Sequence, residues 1–407
     1  MVKILQINIT ANWGSHGKIA EGIGLQVLNE GWDSYIAYGR WKNPSCSKLY
    51  HIGNNLDETI HGFCTRIFDN HGLMSKRPTR KLISYINSIS PDIIHLHNIH
   101  GYYLSYPLLF DFLKESKIPV VWTLHDCWAF TGHCAHYMFV DCHKWEKHCD
   151  SCPLKYNYPK SMGYDRSYKN FEEKKKYFLS LNNLTLIAVS KWLENDLHKS
   201  FFKEKKIIQI YNGIDINKFK PSSYSNKTLD YYHISKNKWI ILGIASNWYR
   251  KGLADFIALR SMLNDNYSIV LIGLNDKELK NLPEGIIGIK RTENQNVLID
   301  LYNAANLYFN PTWEDNFPTT NLEAMACGTP VITYCTGGSP EVIIDNTGYI
   351  VKKGDLKTAQ EYIKNICEKG KRHFINPCRE MIIKNFDSQR QFHKYINLYK
   401  DLLNREQ

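Results

Sequence analysis

Residues 307–341, LYFNPTWEDNFPTTNLEAMACGTPVITYCTGGSPE, constrain the fold more than any other stretch of the 407-residue chain. Leu307 to Asn310 is apolar enough for a buried strand. Trp313, Glu314, Asp315 and Asn316 cannot continue it and read as a loop. Pro318 suits the first turn of a helix, where a missing N–H costs nothing. Glu323 to Ala326 favour helix, and Gly328 with Pro330 ends it. Val331 to Thr333 is the next strand. Gly337-Gly338 then leads into Ser339-Pro340-Glu341, which reads as a second helix start.

Two helix N-termini at strand ends offer N–H groups and partial positive charge, which suits a phosphate. Asp315 stands just before the first helix, and Glu323 lies roughly 6 Å inside it by helical rise. A carboxylate accepts hydrogen bonds from two vicinal hydroxyls at once. One carboxylate at the mouth and one inside therefore suit a sugar and a ribose, with a diphosphate on the amides between them. A solvated acidic loop and an ordinary helix-face Glu fit the same spacing.

The run D-N-F-P-T-T-N-L-E-A-M-A-C-G-T-P-V-I resembles the E-x7-E signature of retaining GT-B glycosyltransferases of family 4. There the pattern is typically E-G-F-G-L-x-x-x-E-A-M-A-x-G-x-P-V-I. The resemblance puts Asp315 at the first acidic position and Glu323 at the second, both as catalytic-site residues. It gives donor contacts to Glu314, Asn316, Thr319, Thr320, Asn321 and Leu322. Three departures stand out. Asp replaces Glu, the adjacent Glu314 leaves a one-residue ambiguity, and Pro318 stands where the family has glycine.

A chain of this length exceeds the usual single core, so two domains are expected. The 43% hydrophobic and 22% charged content is ordinary for a globular protein. No run reaches the apolar length of a membrane span. Met1 to Trp13 carries no small-residue cleavage site and reads as a first strand, so cytoplasmic residence is expected. The formal net charge of +11 admits nucleic acid, an anionic membrane surface or phosphorylated substrates as partners. The lysines are dispersed, with small clusters at Lys174-Lys175-Lys176 and Lys203 to Lys206. An acidic mouth at Asp315 and Glu323 would repel a phosphodiester backbone, so nucleic acid is set aside. A zinc-stabilised nucleic-acid binder is the remote rival. Weak attraction to an anionic membrane surface remains.

Val2 to Ile9 reads as a fully buried parallel strand. Asn12 to Gly17 reads as a glycine turn, with a helix from Lys18 to Asn29. The full G-x-G-x-x-G is absent, which disfavours a dinucleotide. The family resemblance puts Gly17, and secondarily Gly14, under the donor phosphates. Pro91 to His97 resembles the family's P-D-x-x-H-x-H strand. His95 there suits packing, and His97, near the strand end, is placed to approach the acceptor. Val120 to Asp126 resembles the family's T-x-H-D strand, which makes His125 a catalytic residue facing the donor sugar. Asn212-Gly213-Ile214-Asp215 resembles the N-G-I-D that ends the first domain, and residues 216–237 read as a polar linker.

Residues 127–152 depart from the general family. Five cysteines crowd there among four histidines, with Cys134, Cys142, Cys149 and Cys152 spaced C-x7-C-x6-C-x2-C. In a chain without secretion signals, disulfides are not expected. The spacing suits one structural zinc on those four thiolates; free thiols are the alternative. Four thiolates leave no open position, so such a zinc is not catalytic. The insertion resembles a subgroup associated with exopolysaccharide and colanic-acid assembly.

The second half opens on strand Trp239 to Ala245, then Ser246 to Gly252. The family places an Arg five residues before Lys-Gly, both clamping the donor diphosphate. Lys251 matches the Lys; Ser246 stands at the Arg position, and Arg250 is the candidate substitute. Further strands alternating with helices imply a second parallel sheet. Residues 387–407 read as a terminal helix that returns to the first domain.

The expected architecture is α/β GT-B: two Rossmann-like parallel-sheet domains facing a cleft. Residues 1–215 form the acceptor side, 216–386 the nucleotide-sugar side, and 387–407 the returning helix. The expected activity is retaining transfer from a UDP-sugar, else a GDP-sugar, to a glycan or polyprenyl-diphosphate-linked acceptor. No catalytic cofactor is implied. A sugar-phosphate synthase or phosphorylase on the same fold is the alternative.

Overall fold

The structure is a computed structural model and describes residues 1–292 and 294–404. The chain divides into two compact units, Met1–Asn212 with Gln389–Gln407, and Gly213–Ser388.

The first unit holds β1 (Lys3–Asn8), β2 (Asp33–Tyr38), β3 (Lys48–His51), β4 (Ile93–Leu96), β5 (Val120–Leu124), β6 (Leu184–Ala188) and β7 (Lys206–Gln209). They form one sheet in the order β3-β2-β1-β4-β5-β6-β7. Every pairing is parallel. The order reverses between β1 and β4. In an open sheet of this kind the carboxyl ends of the strands at that reversal form the ligand crevice. The central strands are buried on both faces, which is why their sequences are near-continuous apolar runs. The C-terminal helix Ser388–Leu403 covers one face of this sheet. Its Phe392, Tyr395, Ile396 and Tyr399 pack with Ile4, Ile93, Val121 and Ile187. Gly22 makes room for it, because a Cβ there would lie 2.2 Å from the Phe392 ring.

The second unit holds β8 (Trp239–Ile244), β9 (Tyr267–Leu274), β10 (Ile286–Lys290), β11 (Leu307–Asn310), β12 (Val331–Tyr334) and β13 (Gly348–Val351). Their order is β10-β9-β8-β11-β12-β13, again all parallel. Here the reversal falls between β8 and β11. The loops leaving these two strands carry Lys251 and Asp315.

Local expectations fail in several places. The first helix, Gly14–Asn29, begins four residues before Lys18. Gly14 and Gly17 therefore sit in its opening turns, not in a turn ahead of it. Pro318 is the residue capping the helix Thr319–Ala326, not its first residue. Ser339-Pro340-Glu341 opens only a four-residue 3-10 turn, Ser339–Val342. The polar stretch 216–237 contains the short helix Asn226–Tyr231. The strand β3 had no sequence signal. It is a half-exposed edge of four residues, K-L-Y-H.

Candidate functional site

In the second unit the site starts from backbone geometry. Gly252 has φ +79°, and a Cβ there would lie 2.4 Å from the Pro311 carbonyl oxygen. Only glycine lets the loop after β8 lie this close to the loop after β11. That approach sets the neighbouring Lys251 ammonium in an ion pair with the Asp315 carboxylate. Arg250 faces Glu314 at 3.8 Å. Each cation thus meets one acidic residue. Burial lowers the Lys251 pKa from its ordinary value, while Asp315 works to keep it charged. Asp315 also accepts the Phe317 N–H at 3.2 Å, which shapes the turn into the next helix.

The acidic loop is fixed from below. Asp255 accepts hydrogen bonds from Trp313 Nε1 at 2.8 Å and the Tyr334 hydroxyl at 2.7 Å. The Gly338 N–H donates to the Asn316 carbonyl at 3.2 Å, tying the loop to the glycine turn after β12.

Glu323 lies in the helix Thr319–Ala326, with Oε2 accepting the Tyr302 hydroxyl at 2.8 Å. The Tyr308 hydroxyl donates to the Ile244 carbonyl at 3.3 Å and lies in the fields of both Glu323 and Asp315. Both carboxylates therefore act electrostatically on one tyrosine. The remaining helix-mouth residues divide. Thr319 and Thr320 are half-buried, and Thr320 hydrogen-bonds Tyr308. The Asn321 amide is used internally, accepting from Asn310 at 2.8 Å and reaching the Ser339 carbonyl at 3.5 Å. Leu322 is a core side chain, so only its backbone can serve a ligand.

In the first unit a polar chain runs along the carboxyl ends of β1, β4 and β5. Gln6 Nε2 donates to the Ala20 carbonyl at 2.8 Å, which leaves Gln6 Oε1 as acceptor. His97 Nε2 lies 2.9 Å from that oxygen and must donate. Its Nδ1 is then an acceptor, and His125 Nε2, 3.1 Å away, must donate to it. In this network His125 keeps its acceptor lone pair on Nδ1. Burial, then His97 and His16, push the His125 pKa well below its ordinary value, so the ring is neutral at pH 7. His97 is 1% exposed and serves His125, not an acceptor. His95 is a packing residue. It bonds the Tyr399 hydroxyl at 2.6 Å and Thr123 at 2.8 Å, which anchors the C-terminal helix.

Beside this chain, burial opposes the charge on Asp126. His100 at 2.8 Å and the Trp128 N–H more than offset that and hold the carboxyl well below the usual range. Gly17 is buried, and a Cβ there would lie 2.6 Å from Thr10 Oγ1. Its smallness thus serves helix packing. Gly14, at φ +67° with open space around it, is fixed by backbone conformation alone.

Known proteins agree with this architecture. Residues 228–386 match the family described as glycosyl transferases group 1, and residues 29–218 match glycosyltransferase family 4. A protein of Escherichia coli K12 described as a colanic acid biosynthesis glycosyl transferase, WcaC, is 23% identical over 98% of this chain and 100% of its own. The sucrose-phosphate synthase of Thermosynechococcus elongatus superposes with a TM-score of 0.73 at 16% identity, covering 100% of both chains. Anabaena HepE, solved with UDP-glucose, superposes at 0.66 with 13% identity, covering 98% of this chain and 100% of its own. The chain is a GT-B glycosyltransferase related to family 4. Its likeness to the two solved structures is one of fold.

In this glycosyltransferase several site residues carried no sequence signal. His16 stands with its ring centroid 5.9 Å from that of His125, and Nδ1 lies 3.1 Å from Asn8 Oδ1. Burial, then His100, lowers its pKa to about 4. Tyr302 orients Glu323 from 21 residues away. Thr336 and Ser339 keep buried hydroxyl oxygens without hydrogen-bond partners at the end of β12. Such orphaned oxygens mark a place where a ligand can bind. In the sequence Ser339 reads only as the start of a second helix, and Thr336 carries no signal. Among the described residues, no helix is long and apolar enough to cross a membrane.

Proposed function

We propose that the protein is a retaining glycosyltransferase. It moves a sugar from a UDP-sugar, else a GDP-sugar, onto a glycan or polyprenyl-diphosphate-linked acceptor in bacterial surface polysaccharide assembly. The observation that carries the reading is the Lys251–Asp315 pair at the sheet reversal, beside a helix mouth that contains Glu323. The names of WcaC and of the UDP-glucose complex of HepE support the process and the donor class.

The chemistry follows from the charge. As the bond from C1 to the diphosphate breaks, negative charge grows on the leaving oxygen. Lys251 and the amides of the Thr319–Ala326 helix mouth meet that charge without reorganising. Arg250 adds a second cation. Glu323, oriented by Tyr302, accepts the ribose hydroxyls. His125 offers its Nδ1 lone pair as a hydrogen-bond acceptor to a hydroxyl of the donor sugar. The acceptor hydroxyl attacks from the face the diphosphate leaves, and a departing phosphate oxygen takes its proton. Configuration at C1 is thereby retained, and no metal is called for. NMR of the product should show the donor's anomeric configuration preserved on a glycan. An inverted centre refutes the mechanism, and a free sugar phosphate as product would favour the synthase alternative.

The acceptor class is supported by an exposed apolar face on the first unit. Leu56, Ile60 and Phe63 recur along the helix Asn55–Phe68 at positions i, i+4 and i+7 and face solvent. The exposed Met162 and Tyr164 extend it, their N–H groups bonded to the Arg66 and Ile67 carbonyls at 2.7 and 3.0 Å. Arg66 and Lys160 are exposed beside these residues. Apolar residues with basic neighbours suit an anionic membrane surface that presents a lipid-linked sugar. Co-sedimentation should show binding to phosphatidylglycerol vesicles and little to phosphatidylcholine. The double variant Leu56→Glu, Phe63→Glu should weaken it about tenfold, the scale of two lost buried side chains with added charge repulsion. Equal binding of wild type and variant would remove this face from the account.

A further inference from the structure

The segment between β5 and the helix Ser167–Leu179 runs for some forty residues with only two 3-10 turns, Trp128–Phe130 and Lys144–Glu146. A structureless stretch of this length inside a compact unit normally needs an added constraint. The fold gathers its cysteines. Cys134, Cys142, Cys149 and Cys152 all line one small cavity, together with His133. None of them is in a disulfide. The thiols of Cys134 and Cys152 hydrogen-bond each other. Ligands of one zinc at ~2.3 Å stand ~3.8 Å apart in a tetrahedron, which is also the scale of a sulfur hydrogen bond. Gly132 supports Cys149. Its N–H bonds the sulfur, and a Cβ on Gly132 would lie 2.7 Å from the Cys149 Cβ.

Two further groups face the same place. His133 and Asp69 are both fully buried, with His133 Nδ1 2.6 Å from the Asp69 carboxylate. Its other ring nitrogen, Nε2, is buried without a hydrogen-bond partner. Lys174 is 1% exposed and donates to the Trp128 and Thr131 carbonyls at 2.6 and 3.0 Å. Its ammonium lies in the field of Cys134 and Cys149. With Nδ1 bonded to Asp69, Nε2 of the neutral His133 ring carries a lone pair that suits a nearby cation, and the Lys174 ammonium suits the thiolates that would hold it. Four thiolates on a divalent ion carry a net charge of −2, which Lys174 offsets in part. As thiols, Cys134 and Cys152 pair with each other. Among the described residues no three potential ligands yet surround a common centre. Metal binding replaces four S–H protons by four S–metal bonds, releases those protons to solvent, and draws the sulfurs inward.

We propose that Cys134, Cys142, Cys149 and Cys152 bind one structural zinc-type cation that cross-links the long 127–166 segment to itself. The site is separate from the transfer chemistry. It rests on neither Lys251 nor Asp315.

The test is metal analysis of the full chain, expressed in a reducing cytosol and purified without chelator. The expected result is about one zinc per chain, the stoichiometry of a four-thiolate site. It should survive dialysis and be replaceable by cobalt with the absorption of a tetrahedral thiolate complex. Cys46→Ser, an exposed cysteine outside the cluster, should keep the metal. Cys152→Ser should lose it and bring a lower Tm. Should Cys152→Ser fail to fold, the wild-type measurement decides alone. Four titratable thiols with no metal after incubation with stoichiometric zinc under reducing conditions would overturn the proposal. So would a Cys134–Cys152 disulfide in their place, or retention of full zinc by Cys152→Ser.

Discussion

Lys251→Met should lower kcat/KM by about 100-fold, which corresponds to ~2.7 kcal/mol of transition-state stabilisation. Met fills nearly the same volume, so the change removes charge and keeps packing. Two losses add. The leaving diphosphate loses a cation whose charge-assisted bond is worth ~1.5–3 kcal/mol. Asp315 also loses its partner and is left to repel the donor. Both side chains are mostly buried, at 17% and 18% exposure, so solvent screens the pair only partly. Lys251→Arg should recover part of the rate, because charge returns with a different reach. Steady-state kinetics on the true substrates check this. Unchanged kcat/KM in Lys251→Met would detach Lys251 from the chemistry.

Gly252→Ala should destabilise the second unit by ~3 kcal/mol, the range for strain combined with a buried clash. The backbone sits at φ +79°, where a side chain costs ~1–2 kcal/mol by itself. The new Cβ would also lie 2.4 Å from the Pro311 oxygen and 3.1 Å from Asp255 Oδ2. The loops must separate, and Asp255 also holds Trp313 and Tyr334 in place. For a unit of this size the Tm should fall by about 6–12 °C. Activity should fall with it, since Lys251 rides on the displaced loop. Gly14→Ala is the control. It has a comparable φ of +67° but no atom within 4 Å of the added Cβ. Only the conformational part should appear there, ~1–2 kcal/mol. Equal effects at the two sites would mean that the close approach at Gly252 does not shape the site.

How much of this was readable from the chain depends on whether the cause is local. The strands β11 and β12 were legible to the residue or nearly so, because short apolar runs are bounded by Pro and Gly. The edge strand β3 was not, because half-exposed edges need no apolar pattern. The opening of the first helix was misjudged for a physical reason. Gly14 and Gly17 look like turn residues, yet one satisfies a positive φ and the other lets Thr10 pack against the helix. At the site, the motif residues Lys251, Asp315 and Glu323 were visible, and so was His125. Their pairings were not. Lys251 meets Asp315 across 64 residues and His125 meets His97 across 28. Tyr302 and His16 gain their roles only from such distant neighbours, and Thr336 and Ser339 stand out only by hydroxyl oxygens the fold buries without partners. Arg250 was readable as a substitute clamp cation and Glu314 as a donor contact, but not that the fold sets them opposite each other.

Titration calorimetry of wild type and Lys251→Met with UDP- and GDP-sugars tests the central claim most directly. We predict that wild type binds one class of nucleotide-sugar and that Lys251→Met binds the same ligand at least tenfold more weakly, ~1.4 kcal/mol or more. Wild type that binds neither class, or a variant that binds as tightly as wild type, would contradict the account.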